Sequence, residues 1–203
     1  MIVKQILVGD MSVFCYLIGC EKTREAIAVD PGANIDRIIA EAEKSNLNIK
    51  YIFNTHHHWD HTTGNKELKE KTGAQIVMHT LENDQMSDSE KADIHIKEEG
   101  IFKVGETELR IIFTPGHTVG GVCLYAEGQL FTGDTLFVGD SGRTDLPGGH
   151  RPTLGASIRK LMELPDDTII WPGHDYGATT SSTVHNEKRT NINAKEYGYF
   201  VED

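Results

Sequence analysis

Seven consecutive residues, 55–61, hold four histidines and an aspartate. Neutral imidazole and carboxylate groups are ligands for zinc, iron and manganese. The apolar residues 51–53 predict a short buried strand that delivers this segment to a loop at the end of a sheet. A purification tag does not explain it, because tags lie at termini and lack an interposed Trp59 and Asp60. The segment therefore predicts a metal site.

Three later turns each place one histidine or aspartate directly after an apolar run. These residues are His117 in Thr114-Pro115-Gly116-His117, Asp134 in Phe131-Thr132-Gly133-Asp134, and His174 in Trp171-Pro172-Gly173-His174. A lone histidine at a strand end is more often a hydrogen-bonded structural residue. The occurrence of all three together with the 55–61 cluster instead favours one shared metal centre.

Charge and cysteine content restrict the partners and the setting. The formal net charge of -11 disfavours nonspecific attraction to phosphate backbones or anionic membranes, so we expect neither a nucleic acid nor a membrane partner. No apolar run approaches the roughly 20 residues that span a bilayer. Cys15, Cys20 and Cys123 lack the spacing of a disulfide framework or a structural zinc site, which favours a reducing, cytoplasmic setting.

The rest of the pattern alternates groups of short strands with helices. Strands are predicted at residues 2–8, 13–18, 26–29, 51–53, 74–78, 109–113, 121–125, 129–131 and 168–171. Helices are predicted at residues 35–42 with Asn34 as the cap, 65–71, 151–164 and near 181–195. Residues 82–99 carry many charges and predict a solvated surface segment. This order favours one domain over residues 1–203, with sheet packed on sheet and helices outside.

The order and spacing of these polar residues resemble the metallo-β-lactamase superfamily. Its pattern, Thr-His-x-His-x-Asp-His followed by a His, an Asp and a final His, matches from Val29-Asp30-Pro31-Gly32 to Gly173-His174-Asp175-Tyr176. The resemblance implies an αββα sandwich of two mixed β-sheets flanked by helices, with the metals at one edge. It implies ligands for a first ion at His56, His58 and His117, for a second at Asp60, His61 and His174, and a bridge at Asp134.

The implied chemistry is metal-dependent hydrolysis by a metal-bound hydroxide. Two divalent ions about 3.5 to 4 Å apart lower the pKa of a shared water, and zinc is expected first, with iron or manganese as alternatives. Asp134 would offset repulsion between the ions and Asp60 would accept the proton of the water, so both are catalytic candidates. We interpret His57 as structural and Trp59 as packing. Asp30 either caps its own turn or supports the metal loop.

Within the superfamily, His57 and the aspartate at the bridging position resemble type II glyoxalases, which hydrolyse glutathione thioesters. Arg143 and Tyr176 match substrate contacts of that branch, although Asp145 stands where an aromatic residue usually follows. The implied partner is a small molecule, a thioester or another glutathione derivative. A homo-oligomer stays possible.

Two other functions remain open. The stretches Gly142-Arg143-Thr144-Asp145 and His174-Asp175-Tyr176-Gly177 are similar to persulfide dioxygenases, in which one iron is held by residues matching His56, His117 and Asp134. Against this alternative, Ser141 replaces a cysteine and residues 146–149 are more similar to the hydrolases. The third function is a non-catalytic metal-binding scaffold, which the full set of seven ligands disfavours.

Overall fold

The chain, described as a computed structural model over residues 1–88 and 91–202, contains two six-stranded sheets in that part of the sequence. The strands of the first sheet are, in spatial order, β1 (Ile2–Val8), β2 (Val13–Gly19), β3 (Glu25–Val29), β4 (Asn48–Phe53), β5 (Gln75–His79) and β6 (Ile94–Ile96). Those of the second are β7 (Gly100–Val104), β8 (Thr107–Phe113), β9 (Val122–Ala126), β10 (Gln129–Gly133), β11 (Ile169–Pro172) and β12 (Ser182–Thr183), adjacent in that order.

Helices connect the strands and cover the outer faces of the sheets. They are α1 (Ile35–Lys44), α2 (Trp59–Thr62), α3 (Asn65–Thr72), α4 (Thr80–Asn83), α5 (Arg151–Leu161), α6 (Val184–Thr190) and α7 (Ala194–Tyr197). Within the described residues, each helix is too short or too polar to cross a membrane.

Strand β2 shows how its sequence builds the layers. Its residues are all buried, because successive side chains point to opposite faces and both faces are covered. Cys15 and Leu17 pack with Ile38 of α1, whereas Tyr16 and Ile18 pack against the second sheet. A third core lies between the second sheet and helices α5, α6 and α7. These three cores confirm the predicted αββα sandwich.

Strand direction brings the candidate ligands to one edge. Strands β3, β4 and β5 are parallel neighbours, so their carboxyl ends lie side by side. Strands β10 and β11 are also parallel, and Gly133 pairs with Pro172 at their ends. Strand β8 runs antiparallel to β9, which is antiparallel to β10, so β8 ends at the same edge. The turns after β4, β8, β10 and β11 therefore meet.

Two predictions about local structure are wrong. Asn34 precedes α1, but its side chain accepts a hydrogen bond from the Gly9 amide at 2.8 Å and makes no capping bond. The predicted helix near residues 181–195 is instead two helices, because Asn191 has an extended backbone and its side-chain amide donates to the Asp140 carbonyl and to Glu187.

The prediction of a solvated segment at 82–99 is also wrong in part. Ile94 pairs with Val77, which extends the first sheet with an edge strand, and Glu82 and Asn83 are buried. The segment is rich in charged residues, and few of its side chains, among them Ile94 and Ile96, pack against the core. Residues 89 and 90 of this segment lie outside the described residues.

Candidate metal centre

Six of the seven predicted ligands form two groups at this edge. The first contains His56, His58 and His117, each offering one nitrogen atom within 4.8 Å of the others, and the second contains Asp60, His61 and His174 within the same limit. A third group, Asp30, His56 and His61, shares one histidine with each of them. The shortest contacts are 3.0 Å between His117 Nε2 and His58 Nδ1, and 3.2 Å between His61 Nε2 and His174 Nε2.

Asp134 lies between the two groups. Its Oδ2 atom is 3.5 Å from His117 Nε2 and 3.2 Å from His174 Nε2, while its Oδ1 atom is 3.3 Å from His61 Nε2. Close packing of the adjacent turn holds this carboxylate in place, since a Cβ atom at Gly173 would lie 2.3 Å from Oδ1. One carboxylate thus faces both sets of nitrogen atoms.

Hydrogen bonds to backbone carbonyls orient two of the rings. His117 Nδ1 donates to the Arg143 carbonyl at 2.7 Å, and His174 Nδ1 donates to the Met11 carbonyl at 2.8 Å. A carbonyl oxygen only accepts, so Nδ1 of each ring carries a proton, and Nε2 faces the cluster. Metal-ligating histidines are commonly fixed in this way.

The donor set fits divalent cations. Among the described residues, His56 Nε2 and Asp134 Oδ1 are buried and have no hydrogen-bond partner, which is costly unless another group satisfies them. The Nε2 atoms of His61 and His174 face each other at 3.2 Å, where both could bind one cation. A cation bound within each group would satisfy all of these atoms at once.

The electrostatics of the cluster point the same way. Burial and the neighbouring histidines lower the pKa of His56, and burial and His117 lower that of His58 to about 4, so both rings are neutral at neutral pH. Burial would lower the pKa of His61, but Asp134 and Asp30 raise it well above its usual value. Burial would raise the pKa of Asp134, but His61 and His174 hold it well below its usual range. Positive charge is therefore favoured beside Asp134.

Asp30 supports the loop that carries the first four ligands. It is buried, and its carboxylate accepts hydrogen bonds from the Thr55 amide at 2.8 Å and the Thr55 hydroxyl at 2.6 Å. The same carboxylate lies 3.1 Å from His61 Nδ1. The side chain of Asp30 therefore supports the metal loop and does not cap its own turn.

His57 points away from the cluster, toward a residue that the sequence did not single out. Its Nδ1 atom lies 2.5 Å from Oε2 of Glu82, and none of the metal-binding groups among the described residues includes it. The sequence does carry one signal for Glu82: it is a carboxylate three residues after β5, which is the parallel neighbour of β4.

A cleft of about 410 Å³ opens over the cluster. Its lining includes the two predicted substrate contacts, Arg143 and Tyr176, together with Met11, Trp59, Phe137 and Leu146. The prediction that Trp59 is a packing residue is wrong, because its side chain lies at the rim and is 68% exposed. The rim of the cleft is thus largely apolar, while its floor is formed by the ligands.

Arg143 and Tyr176 are held differently at this rim. The Arg143 guanidinium forms two hydrogen bonds with the Asp145 carboxylate, each 2.6 Å long. Tyr176 stacks on the ring of His174 with centroids 4.5 Å apart, and its hydroxyl donates to the Met11 carbonyl at 3.2 Å. Both residues lie where a substrate above the ligands would contact them.

A sandwich of two mixed sheets with this cluster at its edge defines a known class of proteins. The family model of the metallo-β-lactamase superfamily matches residues 8–174, and the chain belongs to this superfamily. A hydroxyacylglutathione hydrolase from Polaromonas sp. is 36% identical over 181 residues, covering 87% of this chain and 67% of that protein. The human mitochondrial persulfide dioxygenase ETHE1 is 37% identical over 183 residues, covering 88% and 70%.

Solved structures also match this chain in three dimensions. The crystal structure of ETHE1 from Myxococcus xanthus matches with a TM-score of 0.88 and 33% identity, covering 99% of this chain and 88% of that chain. TTHA1623 in a di-iron-bound form matches with a TM-score of 0.80 and 28% identity, covering 94% and 99%. The predicted resemblance to the superfamily, and to both of these branches, is confirmed.

Proposed function

We propose that this protein is a dimetal hydrolase that cleaves thioesters of the hydroxyacylglutathione type. The observation that carries this proposal is the presence of two ligand groups with Asp134 facing both. An enzyme with one metal needs only one such group. A second group, Asp60, His61 and His174, with an equally close set of donor atoms supports a second ion.

In this proposal His56, His58 and His117 hold one ion, Asp60, His61 and His174 hold the other, and Asp134 contacts both. Two divalent ions at such a site lower the pKa of a shared water and so supply a hydroxide near neutral pH. Zinc is the first candidate, and iron or manganese suit the same donors. The di-iron-bound form of TTHA1623 supports a two-metal site in this fold.

The side chains of the chain supply the remaining parts of the reaction. The carboxylate of Asp60 lines the cleft, 3.5 Å from His174 Nε2, where it can accept a proton from the nucleophilic water. Asp134 stays ionised and offsets the charge of the cations. Arg143 and Tyr176 lie at the rim, where they would orient the substrate above the ligands.

The size and lining of the cleft support a small-molecule substrate. Its volume of about 410 Å³ lies within the range of about 300 to 1,000 Å³ that is usual for ligand sites. The similarity to a hydroxyacylglutathione hydrolase supports a thioester of that type. We further propose one domain over residues 1–203 in a reducing, cytoplasmic setting, which three free, buried cysteines support.

The similarity to persulfide dioxygenases favours a second candidate function. Both the sequence of human ETHE1 and the structure of its Myxococcus xanthus relative match most of this chain. One iron would then be held by His56, His117 and Asp134, whose donor atoms also lie near one another. In this alternative the ligands of the second group hold no metal.

Metal content measured together with two activities distinguishes these functions. Purified protein is analysed for metal per chain, then assayed for S-lactoylglutathione cleavage and for oxygen uptake with glutathione persulfide. Two metals per chain with thioester cleavage are expected. One iron with persulfide-dependent oxygen uptake would establish the alternative, and bound metal with neither activity would favour a binding scaffold.

A further inference from the structure

Glu82 is a buried carboxylate outside the proposed ligand set. It lies in α4, directly after β5, and its side chain is fully buried. A buried carboxylate is costly unless hydrogen bonds satisfy its oxygens. The partners that satisfy Glu82 come from two different ligand-bearing segments.

The first of these segments is the turn after β4. Oε2 of Glu82 accepts a hydrogen bond from the His57 amide at 2.9 Å and lies 2.5 Å from His57 Nδ1. Burial would raise the pKa of Glu82, but these contacts with His57 lower it below its usual value. His57 stands between His56 and His58, so a carboxylate that fixes both its backbone and its ring fixes the turn that presents those two ligands.

The second segment is the loop after β8. Oε1 of Glu82 accepts a hydrogen bond from the Gly120 amide at 2.5 Å, three residues after His117. The loop approaches α4 so closely that a Cβ atom at Gly120 would lie 2.9 Å from the same oxygen and 2.8 Å from His79 Nδ1. The contact is therefore specific to glycine and leaves the loop little freedom to move.

We infer that Glu82 is a positioning residue that holds the His56/His58 turn and the His117 loop in register, and so sets the metal affinity of the first group. The second group is held by other contacts, from Asp30 to His61 and from the Met11 carbonyl to His174. The effect of Glu82 is thus selective for one of the two metal sites. The inference rests on the proposed metal centre.

The test is a titration of metal-free protein with Zn²⁺ against a competing chelator, which yields one dissociation constant for each site. His117→Ala and His174→Ala identify which constant belongs to the first and which to the second group. The main variant is Glu82→Gln. The amides of His57 and Gly120 both donate to the Glu82 carboxylate, and glutamine would face one of them with an NH₂ group, which cannot accept. Glu187→Gln is the matched control, since Glu187 is equally buried but lies outside both segments.

Glu82→Gln is expected to weaken Zn²⁺ binding at the site identified by His117→Ala by about 10-fold, the lower end of the effect of losing a direct partner of a metal ligand, because Glu82 acts on the ligands through His57 and Gly120. The other site and the Glu187→Gln control should change by much less. Unchanged constants, equal weakening of both sites, or weakening of only the His174 site would overturn the inference.

If Glu82→Gln does not fold, His57→Ala is the second test of the inference. This variant removes the ring that contacts Glu82 but keeps the hydrogen bond from the residue 57 amide to Glu82. A smaller loss at the His117 site is expected, and no loss there would overturn the inference. Wild-type protein serves as a separate check of the proposed function. Uptake of one metal, or of two metals without thioester cleavage, would contradict the proposed function. The Zn²⁺ affinities of wild-type and variant protein at the His117 site could still be compared.

Discussion

The ligand cluster and the rim of the cleft differ in how firmly the fold holds them. His61 is fully buried and His174 is 3% exposed, and each ring has a hydrogen-bond partner outside the cluster. At the rim, Trp59 and Tyr176 are 68% and 55% exposed, and the exposed Arg143 guanidinium pairs with its near neighbour Asp145. Under the proposed function, the firmly held cluster would determine the type of reaction, and the exposed rim would determine which substrate reaches it.

The largest effect is expected from breaking the cluster at its centre. Asp134→Ala removes the carboxylate that lies between the two groups, so metal-dependent turnover should be abolished, well beyond the roughly 100-fold loss typical of an outer partner. Turnover with reconstituted protein and metal content by mass spectrometry measure the effect. Asp167→Ala, at an exposed position, is the control, and retained activity in Asp134→Ala would show that the bridge is wrongly assigned.

Removal of metal should destabilise the protein. Bound ions stabilise the folded state by about 4 kcal/mol when free metal is about 1,000 times its Kd, and without them His56 Nε2 is buried with no hydrogen-bond partner among the described residues. Thermal unfolding of chelator-treated and reconstituted protein measures the difference. Equal Tm values would mean that the cluster does not hold metal in the folded state.

A smaller effect is expected from loosening the support behind the cluster. Asp30→Asn keeps the shape of the side chain but places a donor where Thr55 donates, so metal affinity should fall by about 10- to 100-fold. Chelator competition measures the loss, which should be greater at the site containing His61. Unchanged metal affinity in folded Asp30→Asn protein would mean that Asp30 stabilises its own turn and does not position the metal ligands.

The smallest effect is expected at the rim. Asp145→Asn releases the Arg143 guanidinium for the carboxylates of a glutathione thioester, and KM should fall by up to about five-fold, the limit for an exposed ion pair. The same thioester of an uncharged thiol, N-acetylcysteamine, is the control and should keep its KM. An equal response to both substrates would exclude Arg143 as a carboxylate contact.

The same division explains what could be predicted from the sequence. His56, His117, Asp134 and His174 follow apolar runs that stop at a turn, and local patterns of this kind are visible along the chain. Their meeting at one edge follows from the parallel direction of the strands. The positions of these residues and one shared metal centre were therefore within reach of local patterns, whereas the αββα fold and the division of the ligands into two groups were implied by the resemblance to the superfamily.

Contacts between distant segments were not within its reach. Glu82 lies among charged residues and predicts exposure, yet it is buried because the turns after β4 and β8 both donate to it. Trp59 predicts packing by its size, but the surface that would cover it is absent from the described residues. Asn34 matches the composition of a helix cap, but the Gly9 amide competes for its side chain.

The ligands come from both sheets, and this has a consequence for the lifetime of the folded chain. His61 follows the first sheet and His174 the second, and they meet across 113 residues of sequence. Ions bound between them would act as a reversible cross-link, and the entropy of closing such a loop changes little with its length. Metal supply would then govern more than turnover, because the metal-free chain would lack this link between the two sheets.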